Sequence, residues 1–152
     1  MRYDPRDEVL YRLRMARNYL EEVRRAMEAG DYRLVAEASQ LAAENAAKAV
    51  IAVYRVPSWT HDPYHELMDL VRELPRELRT YARELAEIAH RLAPEHGRAT
   101  YGDPLRGLTP WELYSREDAE RFLRWAVKAV ELAELVLSRL EATEDSGGVL
   151  RN

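Results

Sequence analysis

Apolar residues recur along this chain at steps of three and four, the signature of helices that bury one face. Between residues 7 and 29, Val9, Leu10, Leu13, Ala16, Leu20, Val23 and Met27 fall on one stripe, and Gly30 is placed to stop the run. Asp31 can then cap a second helix over roughly 32–55. That helix is Ala-rich, with Val35, Ala38, Leu41, Ala42, Ala49 and Val53 on its apolar side and a narrow polar stripe of Arg33, Glu37, Gln40, Glu44 and Lys48. A helix that is apolar around most of its circumference must be covered by others, so the pattern predicts that this one is central.

Pro57 reads as the end of the central helix, and Asp62-Pro63 as the start of a short one over 63–74, with Asp62 at the cap and Pro63 at the first helical position. Pro75 opens the next helix, whose stripe is Leu78, Tyr81, Ala82, Leu85, Ile88, Ala89 and Leu92. Residues 94–115 hold three Gly and three Pro and are expected to be mostly irregular, apart from a one-turn capping box at Thr109-Pro110-Trp111-Glu112. Long loops of this kind in compact domains are often functional. Ser115 to Asp118 can cap a last helix to about residue 142, apolar along Phe122, Trp125, Ala126, Ala129, Val130, Ala133, Val136 and Leu140. No period-two alternation occurs. The expectation is an all-α, up-down four-helix bundle with a short additional helix, one domain over 1–142, followed by a disordered tail over 143–152.

Composition changes this picture only at the edges. No apolar run approaches the ~18 residues of a membrane span, and MRYDPRDEVL lacks the apolar core of a signal peptide. The absence of Cys excludes disulfides and thiolate metal sites but leaves the redox compartment unread, and a soluble cytoplasmic protein is the default expectation. Lys48 and Lys128 are the only lysines and Gln40 the only Gln, a bias toward Arg and away from labile amides that suggests a thermophilic source, although an Arg-for-Lys bias also follows genome base composition. The net charge of −4 argues against a protein that coats nucleic acid generically, though it leaves room for a local basic patch.

Polar chemistry concentrates in YRVPSWTHDPYHEL, residues 54–67, which carries two of the four histidines. His61 and His65 have the i,i+4 spacing of a metal pair, but a helix beginning at Asp62-Pro63 leaves His61 outside it, and no His precedes His61 to complete a dinuclear site. Glu87-x-x-His90 matches half of a di-iron motif, yet both residues lie about 140–200° from the apolar stripe and so face water. No Cys, Gly-x-Ser-x-Gly elbow or phosphate-cradling Gly loop is present. No metal site and no cofactor is expected, and the 54–67 stretch reads first as a structural joint.

Several segments, taken in order, resemble the HEPN domain superfamily of small helical bundles. The central QLAAENAAKAVIAVY is similar to its Ala-rich A-x-E-x-A-x-K-A helix through Ala43, Glu44, Ala46 or Ala47, Lys48 and Ala49. His65-Glu66-Leu67-Met68-Asp69-Leu70 resembles its H-x-L-x-x-L segment. Arg98-Ala99-Thr100-Tyr101-Gly102-Asp103 is similar to its Arg-Tyr-Pro-Asp loop, with the Tyr displaced and no Pro after it. Ser115 to Ala119 opens a fitting last helix.

The resemblance implies a bundle that dimerises and that binds a nucleotide or RNA, or pairs with a small nucleotidyltransferase in a two-component, toxin–antitoxin arrangement. Arg98, Tyr101, Arg106, Arg116 and His65 are then the expected ligand-binding residues. Ribonuclease members of the family carry Arg-x4–6-His near the start of the last helix. Here no His follows Arg116, and the matching spacings at Arg55–His61, Arg83–His90 and Arg91–His96 lie elsewhere. His65 and His96, converging with Arg98 and Tyr101, are the catalytic candidates that remain. The alternatives are an assembly homodimer without catalysis, anchored by Trp59, Trp111 or Tyr114, and a metal-independent ribonuclease.

Overall fold

The computed structural model describes residues 4–145, with side chains described through Glu141. Four long helices make the bundle: α1 (Pro5–Ala29), α2 (Tyr32–Ile51), α4 (Arg79–Leu92) and α7 (Arg116–Asp145). Three short ones, α3 (Tyr64–Leu70), α5 (Glu95–Tyr101) and α6 (Pro110–Leu113), fill the connections, and 3₁₀ turns at Val71–Glu73 and Arg76–Leu78 join α3 to α4. The expected all-α class stands. Among the described residues there is no strand, only an isolated bridge between Asp103 and Leu108. No helix of these is long and apolar enough to cross a membrane.

α2 is the central helix, touching α1, α7, α4, α5 and α3. Ala36, Ala38, Ala42, Ala43, Ala46, Ala47 and Ala49 are fully buried along it, so neighbouring helices approach the backbone closely. The α1–α2 corner is built locally: Gly30 takes a left-handed φ of 72°, and the Asp31 carboxylate accepts from the Leu34 backbone N–H at 3.1 Å. Such a cap is worth about 1 kcal/mol. The Arg12 guanidinium donates to Asn45 Oδ1 at 3.2 Å and Arg17 to Glu134 at 2.6 Å, which tie α1 to α2 and to α7.

Several boundaries depart from expectation for identifiable reasons. α2 ends at Ile51, not near Pro57, because the backbone tightens there: Val53 and Tyr54 donate three residues back, to Val50 and Ile51, at 3.2 and 3.0 Å. α3 opens at Tyr64, one residue later than expected, although Asp62 still accepts from the Tyr64 N–H at 3.3 Å. The stretch 94–115 is not mostly irregular. It contains α5, which forms despite Gly97 because Glu95 and Ala99 turn inward and are buried. α5 ends at Gly102, whose φ of 73° and closeness to Leu108 O, 2.3 Å from where a Cβ would stand, exclude any other residue without rearrangement. The reciprocal capping boxes at Thr109–Glu112 and Ser115–Asp118 form as expected. α7 continues to Asp145, past residue 142, and the rest of the expected tail lies outside the described residues.

The polar stripe of α2 is itself buried. Gln40, Glu44 and Lys48 are each at most 5 % exposed, so the face that was expected to meet solvent lies under α5 and the segment after α2.

Candidate functional site

The buried row on α2 is a connected polar cluster. Lys48 Nζ donates to Glu44 Oε2 at 3.0 Å, and Gln40 Nε2 donates to Glu44 Oε1 at 2.9 Å and to the His61 carbonyl at 3.3 Å. Because both of those oxygens only accept, the Gln40 amide must turn its own oxygen to His96 Nδ1, 3.0 Å away. His96 Nδ1 therefore carries a hydrogen, so that Nε2 is the nitrogen whose lone pair is free when the ring is neutral. His61 Nδ1 sits 3.0 Å from Glu44 Oε1, and the His61 ring stacks on His96 with centroids 3.6 Å apart and planes 19° from parallel. Burial pushes the Glu44 carboxyl up, but hydrogen bonds from Gln40, Lys48 and His61 and the charge of Lys48 outweigh it and hold the group below the ordinary carboxylate range. Glu44 is thus an ionised, nearly water-free carboxylate beneath two imidazoles.

A second region lies on the other side of α5. A groove of about 170 Å³ runs between α4, α5 and the start of α7, and Arg91, Arg98, Arg121, Tyr114 and Trp125 are among the residues that line it. The guanidinium of Arg121 stands 5.6 Å from the centroid of the Trp125 ring and that of Arg91 6.0 Å from it, both within cation–π range. Glu95 and Asp118 in the same wall partly balance them. The Tyr114 hydroxyl donates to Glu95 Oε1 at 2.8 Å, and burial together with that carboxylate pushes its pKa well above 10.0, so it remains a donor. Arg98 reaches Glu95 at 3.7 Å and Arg121 reaches Asp118 at 3.0 Å. Three guanidiniums against two carboxylates leave an excess of positive charge over an aromatic floor, a chemistry suited to a phosphate and a stacked base.

The family model of the HEPN domain matches residues 9–136, nearly the whole bundle. The chain belongs to the HEPN domain family. No curated protein and no solved structure is significantly similar to it.

Within this HEPN domain the residues singled out from sequence are dispersed. His65 is exposed on α3 and its ring meets Tyr64 edge-on at 5.1 Å. The imidazole that stacks on His96 is that of His61, the histidine set aside for falling outside the helix. Arg98 lines the groove, whereas Tyr101 stands 77 % exposed at the end of α5 and is not among the groove's lining residues. Arg106 lies exposed on the 103–107 turn, 3.9 Å from Asp103, and Arg116 lies exposed at the start of α7, paired with Glu120 at 3.1 Å. Trp59 and Trp111 are exposed, but Tyr114 is half-buried and committed to Glu95. Glu87 and His90 face outward, and His90 pairs with Asp62 at 2.7 Å.

Arg91, Arg121 and Trp125 were not anticipated. One signal was available: Arg121 and Trp125 are four apart on a helix and so share a face, but an aromatic in an apolar stripe reads as core.

Proposed function

We propose that this HEPN domain is a binding module for a nucleotide or a single strand of RNA, and that the Arg91–Arg98–Arg121 groove over Trp125 is its ligand site. The observation that supports this most is the pairing of guanidiniums with one aromatic face, which supplies phosphate contacts and base stacking in one concave surface. The groove holds about 170 Å³, which suits one phosphate and the edge of a base better than a whole enclosed nucleotide. Arg116, Arg106 and Tyr101 flank it along the chain and would contact adjoining phosphates or bases.

Assembly as a homodimer, with or without a small nucleotidyltransferase of two-component type, is part of the same reading and follows from family habit. Leu10, half exposed and lining a groove between α1 and α7, supports it, as does the similarly exposed Tyr11 next to it in the chain. Ribonuclease action has less support, because no His follows Arg116 at the position where the family places one.

The test is anisotropy of a labelled oligoribonucleotide, with ATP as competitor. Arg98→Ala and Arg121→Ala should each weaken binding about tenfold or more, in line with the ~1.5–3 kcal/mol of a hydrogen bond to a charged group. Binding that is unchanged in both variants would remove the site.

A further inference from the structure

All four histidines of the chain gather on one edge of the bundle, around the start of α3. His61 stacks on His96 at 3.6 Å, and the Tyr64 ring stands between His65 at 5.1 Å and His90 at 4.9 Å. Beneath the first pair lies Glu44, with a side chain 7 % exposed, and one donor atom from each of Glu44, His61 and His96 lies within 4.8 Å of the other two.

From this geometry we infer that Glu44, His61 and His96 form a binding site for one divalent transition-metal ion of the zinc class. The donors come from three separate segments: α2, the connection to α3, and α5. The 3.0 Å between His61 Nδ1 and Glu44 Oε1 is close to the ~3.3 Å edge of a tetrahedron with ~2.0–2.1 Å metal bonds. An ion can therefore replace the hydrogen now shared by those two atoms. The His61 proton then moves to Nε2 through solvent, since His61 is about half exposed (54 %). Gln40 accepts from the His96 Nδ1–H, so His96 would bind the ion through Nε2 once its ring turns that atom toward Glu44. This is the outer-shell arrangement that fixes the tautomer of metal-bound histidines. Lys48 keeps Glu44 Oε2, so the carboxylate binds through Oε1 alone. The stacked rings must turn out of parallel for their lone pairs to converge, which the exposed edge of His61 permits.

Two imidazoles and one carboxylate select zinc, cobalt or nickel over magnesium or calcium, which prefer all-oxygen sites. Three protein ligands leave a fourth position open to solvent, where a water or a ligand oxygen could bind. The site is separate from the Arg98 groove and does not depend on its role.

The test is titration of the full chain with Co²⁺, followed by visible absorption, and with Zn²⁺ by calorimetry in a non-coordinating buffer. One equivalent should saturate the site and produce the intense visible bands of four-coordinate cobalt. His96→Ala and His61→Ala should each lower affinity about 100-fold, and Gln40→Leu about 10–100-fold as an outer-shell change. His65→Ala and His90→Ala should bind as the wild type does. Zn²⁺ should raise the melting temperature of the wild type but not of His96→Ala, whose metal-free melting curve reports whether that variant folds. Absence of saturable binding, full binding by His61→Ala and His96→Ala, or loss through His65→Ala and His90→Ala would each overturn the assignment.

Discussion

His96 and Arg98 are two residues apart on α5, about 200° around the helix from each other, and they serve two polar regions of opposite character. On the His96 side, Gln40, Glu44 and Lys48 are buried and bonded to one another, so almost every donor and acceptor has a fixed partner inside the protein. On the Arg98 side, guanidiniums pair with carboxylates at 3.0–3.7 Å and stand over aromatic rings at 5.4–6.0 Å, with much of their surface in water. Pairs with a half-exposed guanidinium contribute about 0–1 kcal/mol and exchange partners readily, and the buried Glu95 carboxylate keeps the Tyr114 hydroxyl as a second partner. A buried pair cannot exchange without leaving a charge stranded. The contrast separates a region whose polar groups hold the fold from one whose polar groups are available to a ligand.

The sharpest way to break that contrast is to remove one charge from each side. Glu44→Ala strands the Lys48 ammonium, and a loss of about 3–5 kcal/mol is expected in chemical denaturation, while Arg98→Ala should cost less than about 1 kcal/mol. Comparable losses in the two variants would erase the distinction.

Acid should act on the two sides unequally as well. The Glu44 carboxyl is held below its ordinary value of 4.5 in the fold, so its contribution to stability is present above that pH and is lost as pH falls through the lowered value. The groups facing it are Lys48, Gln40 and His61, with His96 and Tyr19 close by. Glu44→Gln should be less stable than the wild type at neutral pH, and the two should converge as pH falls from 4.5 through the lowered value. Parallel stability curves across that range would contradict the assignment.

A smaller effect is expected at Ser39, whose hydroxyl is buried on α2 without a hydrogen-bond partner. Ser39→Ala should be neutral or stabilising by up to about 1 kcal/mol, because it removes a polar atom that the cluster does not use. A measurable loss in denaturation would indicate that the hydroxyl does have a partner in solution.

The bundle was legible because helical stripes such as Leu78–Leu85–Leu92 and Phe122–Ala129–Val136 repeat over many turns, and each turn adds to the same signal. α5 was hidden because Pro94, Gly97 and Gly102 resemble loop punctuation, and two turns offer too few apolar positions to outvote them. Gln40, Glu44 and Lys48 were recognised as one polar row, but the cover over Gln40 and Glu44 comes from His61 and His96, which only the folded chain brings back onto α2. The spacing rule that set His61 aside tested partners four residues away, whereas its partners arrive from other helices. Arg98 was found through the family-like loop, while Arg91 and Arg121 join it from α4 and α7 and leave no local trace.

The central claim is that the Arg98 groove, and not the His61–His96 cluster, contacts phosphate. The most direct measurement is the salt dependence of binding to a single-stranded oligoribonucleotide. Each lost phosphate contact should flatten the log–log slope by about 0.7. Arg98→Ala and Arg121→Ala should each show that flattening, and His61→Ala should keep the wild-type slope. An unchanged slope in both arginine variants, or a flattened one in His61→Ala, would contradict the account.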